Sequence, residues 1–485
     1  MVFNERGAIL ASAQHEIAVR YPHPGWVEQD ADDIWTSQRK AAEEALAHAG
    51  LEAHEVAAIG LANQRETTII WNRNSGQPIA PAIVWQDRRT AALCEQLNIQ
   101  SAGEKIRSKT GLRLDAYFSA TKIAWILDHT EGARQRAERG ELAFGTVDSW
   151  LNWKLTHGRM HATDVTNAAR TLLFNINTLE WDTELLELFG IPRALLPEVR
   201  PSSGEFGSTK LGNGEITIAG VAGDQPAALL GQNCRTAGQV KNTYGTGAFV
   251  LMHTGAERLD AEGLIAGPVC NLRGEPQAYG LEGSIFVAGA LVQWLRDGLH
   301  LFERSADIEA LAREVPDSGG VTIVPALTGL GAPFWDATAR GTILGLTRGT
   351  TAAHLARAAL EAVAFRTRDV IEVMQKALPA PIRELRVDGG AATDDLLLQI
   401  QADLLGVPIL RPRTTETTAL GAAMLAAAGS GAADATAFAG WWKADRSFVP
   451  EMPAEERSRR YLRWQQALAR ARHWATDTDS NTLTQ

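Results

Sequence analysis

The sequence predicts an α/β protein that divides into two domains with largely parallel sheets. A chain of 485 residues is too long for one compact core, so it should form at least two domains. Short β-branched runs precede Gly-rich or acidic turns, and amphipathic segments follow these turns. The order recurs in VAAIGLANQRET, EITIAGVAGDQPAALLGQ and ELRVDGGAATDDLLLQIQADLLGVPIL. Strands that alternate with helices favour parallel sheets covered by helices.

The first ten residues, MVFNERGAIL, predict a β-hairpin. Residues 2–3 have the composition of a strand end, and residues 4–7 are of the types that form tight turns. Ile9 then begins a second strand. The body of the first strand is missing from this pattern.

Two long helices have clear start and stop signals. The Asp32–Asp33 pair is expected to cap a helix that runs to Gly50. The Thr350–Thr351 pair is expected to cap a longer helix through HLARAALEAVAFRTRDVIEVMQKAL, which ends before Pro379.

A domain boundary is predicted between residues 231 and 238, where a helix ends in GQNCRTAG and a hairpin, QVKNTYGTGAFVLMHTG, follows. We therefore assign residues 1–233 to an N-terminal domain and residues 234–485 to a C-terminal domain. The hairpin turn Gly245–Gly247 combines accessible backbone N–H groups with a Thr hydroxyl, which suits phosphate binding. An ordinary hairpin is the alternative, because G-T-G alone is a weak signal.

Composition excludes several classes of protein. The net charge is −10 and no basic block occurs, so nucleic acid and anionic membrane surfaces are not expected partners. The three cysteines have no CxxC spacing and the histidines form no HxH or HExxH group, so neither a disulfide framework nor a metal site is predicted. No apolar leader follows the N-terminus, and we expect a cytoplasmic protein. Walker A and protein-kinase motifs are missing from the sequence.

Charged and aromatic residues follow predicted strands. Arg65 and Glu66 in NQRETT could bind a small polyol, because the carboxylate accepts hydroxyl protons and the guanidinium donates hydrogen bonds; a solvated turn is the alternative. Trp85, Tyr117 and Phe249 could cover the C–H face of such a polyol, or could simply pack in the core.

Asp224 follows Gly223 directly at the start of a predicted helix. It could be a helix N-cap, or a general base that takes the proton of a hydroxyl attacking phosphorus. The Gly389–Gly390 pair could allow close passage of a nucleotide, or could form a strand-to-helix turn.

Taken together along the chain, these motifs resemble the FGGY family of carbohydrate kinases. The resemblance extends from Pro24 to about Gly429. It is carried by NQRETT, VWQDRRT, YFSATK, GDQ-AAL-GQ, KNTYGTG, TGLGAPFWD, RGTILGLTRGTTAAHLARAALE and DGGA. It implies two ribonuclease-H-like (actin-like ATPase) domains, with substrate and nucleotide in the cleft between them.

The resemblance also implies site residues. The substrate residues, with Asp224 as catalytic base, would be Arg65, Glu66, Trp85, Tyr117, Asp224, Gln225 and Phe249. The nucleotide residues would be Thr246, Gly289, Gln293, Gly390 and Asp394. The family usually has Asn at the last position, and a carboxylate cannot donate the amide hydrogen bond, so Asp394 is not expected to donate a hydrogen bond to adenine.

The implied activity is the Mg²⁺-assisted transfer of a phosphoryl group from ATP to glycerol, giving sn-glycerol 3-phosphate. Arg65, Glu66 and Trp85 in their contexts point to glycerol rather than a longer sugar. The resemblance also suggests a homodimer or homotetramer. Two alternatives stay open: a kinase for a longer polyol or ketose such as xylulose, and a non-catalytic glycerol-binding or regulatory protein.

The resemblance explains the incomplete first hairpin. Family members begin with a strand and a D-Q-G-T-T-S turn, and this chain starts within the strand that follows. The expectation is that Met1 is a mis-assigned start, that the parent protein is active, and that the polypeptide as given is unstable or nearly inactive. An in-frame stop codon just upstream of Met1 would refute this explanation.

Overall fold

Helices and strands alternate along most of the computed structural model, which describes residues 1–99, 102–211 and 214–475. Up to residue 231 the strands are β1 (Val2–Phe3), β2 (Ile9–Ala11), β3 (Glu28–Gln29), β4 (Ile59–Asn63), β5 (Ile69–Asn72), β6 (Ala82–Ile83), β7 (Leu142–Gly145), β8 (Ala162–Asp164), β9 (Phe174–Asn175), β10 (Glu180–Trp181), β11 (Glu198–Arg200), β12 (Ser208–Leu211) and β13 (Gly214–Gly223). The helices are α1 (Ala31–Ala49), α2 (Ala91–Ile99), α3 (Ala102–Thr110), α4 (Ser119–His129), α5 (Ala133–Glu138), α6 (Val147–Leu155), α7 (Val165–Ala168), α8 (Thr183–Phe189) and α9 (Asp224–Gly231).

The second half of the chain is built in the same way. Its strands are β14 (Val240–Tyr244), β15 (Ala248–Gly255), β16 (Ile265–Pro268), β17 (Tyr279–Ile285), β18 (Thr322–Val324), β19 (Thr342–Leu344), β20 (Leu385–Asp388), β21 (Ile409–Pro412) and β22 (Ala444–Phe448). Its helices are α10 (Gly289–Asp297), α11 (Asp307–Ala312), α12 (Ala352–Ala377), α13 (Asp395–Leu405), α14 (Thr417–Ser430), α15 (Ala435–Phe438) and α16 (Ala454–Ala471).

The predicted N-terminal hairpin is present, since β1 and β2 pair in antiparallel fashion. Helix α1 ends at Gly50 as predicted, but its N-cap is Asp30 rather than the Asp32–Asp33 pair. The Asp30 carboxylate accepts from the backbone N–H groups of Asp32 and Asp33, because a cap must precede the N–H groups that it satisfies. Thr351 caps α12 as predicted.

The seven-stranded sheet of the second half is mixed, and the prediction of largely parallel sheets is wrong. Its order is β16-β17-β15-β14-β20-β21-β22. The pairs β14–β20 and β20–β21 are parallel, and helices lie between these strands in the chain, as the crossover of a parallel pair requires. The hairpin β14–β15 and the pairs β15–β17, β16–β17 and β21–β22 are antiparallel. Likewise VAAIGLANQRET is followed by strand β5 and not by a helix.

In the first half, β13 lies between β12 and β4 and runs parallel to β4. Helix α14 from the second half packs against β13, β4 and α9. The two helices approach closely at Gly421, where an added Cβ would lie 1.8 Å from the carbonyl oxygen of Ala227. Only glycine allows this approach. The contact between α14 and α9 joins the two halves of the chain beside the carboxyl ends of β4 and β13.

The three cysteines, Cys94, Cys234 and Cys270, are free thiols, and none of them forms a disulfide. Within the described ranges, every helix is too short or too polar to cross a bilayer.

A buried carboxyl group predicts a pH dependence of stability. Asp148 in α6 is fully buried and accepts hydrogen bonds from the hydroxyls of Thr146 and Thr163. Burial, with a smaller effect of Asp164, raises the pKa of Asp148 to about 7. Protonated Asp148 therefore stabilises the folded state. This stabilisation is complete below the ordinary carboxyl pKa of about 4 and is lost as the pH rises through 7.

The variant Asp148→Asn should lack this dependence. We expect its free energy of unfolding, relative to that of the wild type, to increase by up to about 4 kcal/mol between pH 4 and pH 8. Urea unfolding at several pH values measures the difference. Unfolding free energies of wild type and variant that differ by a constant amount across this range would contradict the assignment.

Candidate active site

The carboxyl ends of β4 and β13 bring three of the predicted site residues together. Asn63 at the end of β4 is paired with Gly223 at the end of β13. Arg65 and Glu66 follow β4, and Asp224 follows β13, so they share one edge of the sheet. The Nε atom of Arg65 lies 3.1 Å from Oδ1 of Asp224. Residues that are far apart in the sequence thus form one charged cluster at the carboxyl ends of two parallel strands, where parallel sheets bind their ligands.

Arg65 is held by an acid from the other half of the chain. Its side chain is 3% exposed, and it donates two hydrogen bonds to Glu282 of β17, from Nη1 to Oε2 at 2.6 Å and from Nη2 to Oε1 at 2.9 Å. Burial alone would raise the pKa of Glu282, but Arg170 and Arg65 lower it to about 2. The fork geometry is the strong, directional form of an arginine–carboxylate pair, and it fixes the guanidinium.

Glu66 occupies a strained backbone position. Its φ is +62°, which is uncommon for a residue other than glycine. The hydroxyls of Thr68 and Ser119 donate to its carbonyl oxygen at 3.1 and 3.0 Å, and Arg170 donates to its carboxylate. Burial raises the pKa of Glu66 although Arg170 and Arg65 oppose this. The side chain is thereby held in one orientation.

Asp224 is not a helix N-cap, because Gly223 occupies that position. The Asp224 side chain is 33% exposed, and Oδ1 accepts from the backbone N–H of Gln225 at 2.7 Å. Gln225 in turn accepts a hydrogen bond from Lys241, whose Nζ also donates to Thr243 Oγ1 at 2.8 Å. A partly exposed carboxylate in a fixed position can accept a proton from a bound hydroxyl.

Three aromatic rings lie together next to this cluster. The ring of Trp85 meets that of Tyr117 edge to face at a centroid distance of 5.7 Å, and that of Phe249 at 6.4 Å. The ring of Tyr117 is buried, whereas Trp85 and Phe249 are partly exposed. Phe249 is paired across the sheet with Ser284, two residues from Glu282. All three rings that the sequence singled out are therefore neighbours.

The turn of the β14–β15 hairpin is fixed to the start of α10. The carbonyl oxygen of Gly245 accepts from the N–H of Gly289 at 3.0 Å, and that of Thr246 accepts from Ala288 and Ala290 at 2.9 Å. A Cβ at position 289 would lie 2.6 Å from the Gly245 oxygen, so this contact needs glycine. Gln293 lies exposed on α10. The predicted residues Thr246, Gly289 and Gln293 thus belong to one surface.

The Gly389–Gly390 pair follows β20, the parallel neighbour of β14. Gly389 has a φ of +85°, and a Cβ there would lie 2.4 Å from the carbonyl oxygen of Tyr244. At Gly390 no atom lies within 4 Å of an added Cβ, so this glycine faces open space beside the hairpin turn. The pair forms the strand-to-helix turn, and its second member also leaves room for a ligand.

Asp394 is the N-cap of α13. Its Oδ1 accepts from the N–H of Leu397 at 2.9 Å, and burial raises its pKa to about 6. The role follows from its place before the helix, where Asp and Asn cap equally well.

Sequence reasoning missed the partners of the predicted residues. Arg170 and Glu282 are buried and complete the ion network around Arg65 and Glu66, and buried Lys241 holds Gln225. A weak signal existed, because Lys241 and Glu282 are charged residues within otherwise buried strands, and charges are seldom fully buried without partners.

Comparison with known proteins agrees with this architecture. Residues 1–231 match the model of the N-terminal domain of the FGGY family of carbohydrate kinases, and residues 240–430 match that of its C-terminal domain. The chain belongs to the FGGY family of carbohydrate kinases. The resemblance predicted from the sequence is confirmed.

Individual FGGY proteins are similar over almost the whole chain. A glycerol kinase of Acidovorax sp. (strain JS42) is 55% identical over 478 residues, which cover 97% of this chain and 96% of the relative. A glycerol kinase of Citrifermentans bemidjiense is 56% identical over 470 residues, which cover 96% of this chain and 95% of the relative.

The predicted two-domain fold is also confirmed. The crystal structure of Plasmodium falciparum glycerol kinase with ADP has a TM-score of 0.90 and 32% identity, covering 97% of this FGGY chain and 95% of that one. A ligand-bound xylulose kinase from Lactobacillus acidophilus shares the fold, with a TM-score of 0.84 and 21% identity over 96% of this chain and 94% of that one.

Proposed function

We propose that this FGGY kinase transfers the γ-phosphoryl group of ATP to a terminal hydroxyl of glycerol, with sn-glycerol 3-phosphate and ADP as products. The observation that carries the proposal is the fixed cluster of Arg65, Glu66 and Asp224 beside the aromatic rings. The activities named for the relatives with more than half of their residues identical support glycerol as the acceptor.

The cluster suits a small triol. The Arg65 guanidinium directs two N–H groups to Glu282 and has further N–H groups that can donate to hydroxyl oxygens. The Glu66 carboxylate binds Arg170 through Oε1, so Oε2 can accept a hydroxyl proton. Trp85, Tyr117 and Phe249 would cover the carbon chain, and Gln225 would bind a hydroxyl from the side of α9. These hydrogen bonds and ring contacts would together determine which hydroxyl points toward the nucleotide.

Asp224 is the proposed general base. It would accept the proton of the terminal hydroxyl as the hydroxyl oxygen bonds to the γ-phosphorus and the bond to ADP breaks. In phosphoryl transfer, alignment of the nucleophile and neutralisation of charge contribute most of the catalysis. The ion pair with Arg65 fixes the carboxylate direction. Closure of the two domains would exclude water from the phosphate.

The nucleotide would lie over the hairpin turn and the start of α10. Thr246 supplies a hydroxyl and exposed backbone for phosphate oxygens, and Gly289, Gln293 and Gly390 border the same space. Asp394 caps α13, so its contact with adenine would be through packing rather than an amide donor.

Magnesium fits this arrangement chemically. Among the described residues no group of three His, Cys, Asp or Glu side chains is arranged to hold a metal ion. Mg²⁺ bound to ATP keeps waters and phosphate oxygens as most of its ligands, so a site without three protein ligands fits this ion. When bound, the ion would neutralise charge on the phosphate oxygens.

Three further features belong to the proposal. The domains would divide at residues 233 and 234, the protein would act in the cytoplasm, and it would form a homodimer or homotetramer.

Acceptor specificity tests the proposed function. ADP release by the full-length protein should be measured with glycerol, xylulose and gluconate as separate acceptors. We expect kcat/KM for glycerol to exceed that for either sugar derivative by about 100-fold or more, because a site built to hydrogen-bond one substrate discriminates strongly against an acceptor that leaves its buried polar groups unpaired. Preference for xylulose would contradict the proposal. Calorimetric binding of glycerol without phosphoryl transfer would indicate a binding protein instead.

A further inference from the structure

A short segment outside the predicted site touches the active site at three points. We call residues 164–170, which comprise the end of β8, helix α7 and the two residues after it, the α7 segment. Arg170 bonds Glu66, and the side-chain amides of Asn167 and Asn63 exchange two hydrogen bonds at 3.0 and 3.1 Å. The third contact is made by Thr166, and it leads to the proposed base.

Thr166 connects the α7 segment to the residue before Asp224. Its side chain is buried, and its Oγ1 accepts from the backbone N–H of Gly223 at 2.8 Å. The same oxygen donates its proton to Oδ2 of Asp164 at 2.7 Å. A hydroxyl has one proton, so the bond to Asp164 turns the lone pairs of Thr166 toward Gly223.

Asp164 is itself held from several sides. Its Oδ2 also accepts from the N–H of Thr166 at 3.0 Å and from the hydroxyl of Ser202 at 2.7 Å. Its Oδ1 accepts from the backbone and side-chain N–H groups of Asn167, both at 2.9 Å. The carboxylate has no freedom to rotate without breaking these bonds, and the rotamer of Thr166 is fixed with it.

Gly223 is confined on its other face by Arg65. A Cβ at position 223 would lie 2.5 Å from Cδ of Arg65. Gly223 is also the N-cap of α9 and immediately precedes Asp224. A shift of the Gly223 backbone would therefore change the direction of the Asp224 side chain. Thr166 on one side and Arg65 on the other therefore determine where the Asp224 carboxylate points.

We propose that Thr166 is a positioning residue for phosphoryl transfer: its hydroxyl, fixed by Asp164, holds the N–H of Gly223 and thereby aims the Asp224 carboxylate at the substrate hydroxyl. This inference rests on the proposed function. A displacement of about 1 Å in a reacting group can lower a rate by about 10²-fold, so loss of the hydroxyl should affect the chemical step more than substrate binding.

The test compares three variants of the full-length protein. Thr166→Val keeps the shape and removes the hydroxyl, whereas Thr166→Ser keeps the hydroxyl. Thr163→Val is the matched control, because Thr163 is equally buried on the adjoining strand and its hydroxyl donates to Asp148 at 2.7 Å rather than to Gly223.

For Thr166→Val we expect kcat to fall by about 10- to 100-fold with little change in KM for glycerol. Thr166→Ser should recover most of kcat, and Thr163→Val should retain the wild-type kcat even where its melting temperature falls. Equal kcat values for Thr166→Val and Thr163→Val would overturn the inference, as would a loss of activity that serine does not rescue.

Hydrogen exchange of the Gly223 amide separates this inference from the proposed function. The amide should exchange faster in Thr166→Val than in wild type, Thr166→Ser or Thr163→Val, and this readout requires no turnover. Unchanged exchange in Thr166→Val would overturn the positioning bond. A wild-type protein that protects this amide but does not phosphorylate glycerol would overturn the proposed function, and with it the role of Thr166 in that reaction.

Discussion

Asp224→Asn should lower kcat for glycerol by a factor of about 10² to 10⁴, the usual contribution of a positioned general base. Asparagine has the same shape and can still accept the hydrogen bond from the N–H of Gln225, and its amide oxygen can occupy the place of Oδ1, 3.1 Å from Nε of Arg65. It cannot take up the hydroxyl proton. Steady-state kinetics measure kcat, and calorimetry measures the affinity for glycerol, which should change little.

Asp182→Asn is the matched control for this prediction. Asp182 is the N-cap of α8, next to Lys109 and outside the cluster of Arg65, Glu66 and Asp224, and asparagine caps helices as well as aspartate does. The control should keep the wild-type kcat. If Asp224→Asn retained it as well, the carboxylate would not act as the base.

Glu282→Gln should destabilise the folded protein by about 3 to 5 kcal/mol, the usual effect of removing one partner from a buried ion pair. Glu282 faces both Arg65 and Arg170. A glutamine side chain has no charge and turns an N–H₂ group toward one of the guanidinium nitrogens. Arg65 would lose its fixed direction, so KM for glycerol should rise as well. Urea unfolding measures the first effect and steady-state kinetics the second.

The pH dependence of this effect has a definite sign. The pKa of Glu282 is lowered to about 2 by Arg170 and Arg65 against the effect of burial. Its stabilisation is therefore present above the ordinary Glu pKa of about 4.3 and is lost as the pH falls through 2. The difference in unfolding free energy between wild type and Glu282→Gln should be largest near pH 7 and should decrease below pH 4.

Glu275→Gln provides the control. Glu275 pairs with Arg235, and its side chain is 39% exposed; such surface pairs contribute about 0 to 1 kcal/mol. Equal destabilisation by Glu275→Gln and Glu282→Gln would show that the buried network around Arg65 stabilises the fold no more than a surface ion pair does.

The sequence predicted the residues at the strand ends better than their partners. Arg65, Glu66 and Asp224 could be found because each follows a recognisable strand, where parallel strands place polar ligands. The partner of Arg65, Glu282, lies 217 residues away within a strand, and no local pattern indicates that two charges so far apart in sequence will meet. Thr166 was missed because a hydroxyl residue in a short helix has no distinctive pattern in the sequence.

Two errors concerning the fold have local causes. The sheet of the second half is mixed because β15, β16 and β17 follow one another without a helix and pair in antiparallel fashion, and because β22 adds an antiparallel edge. The helix-connected pattern read from the sequence covers only β20 and β21, and the predicted hairpin β14–β15 already departs from it. The cap of α1 is Asp30, one of three acidic residues within four positions. Composition locates such a helix start but does not choose among neighbouring carboxylates.

The proposed role of Asp224 is to accept the proton of a glycerol hydroxyl held by Arg65 and Glu66. A single-turnover measurement with saturating glycerol and γ-labelled ATP tests it most directly, because it reports phosphoryl transfer apart from binding and product release. Transfer in Asp224→Asn should be slower than in wild type by about 10²-fold or more. Transfer at the wild-type rate in glycerol-saturated Asp224→Asn would contradict it.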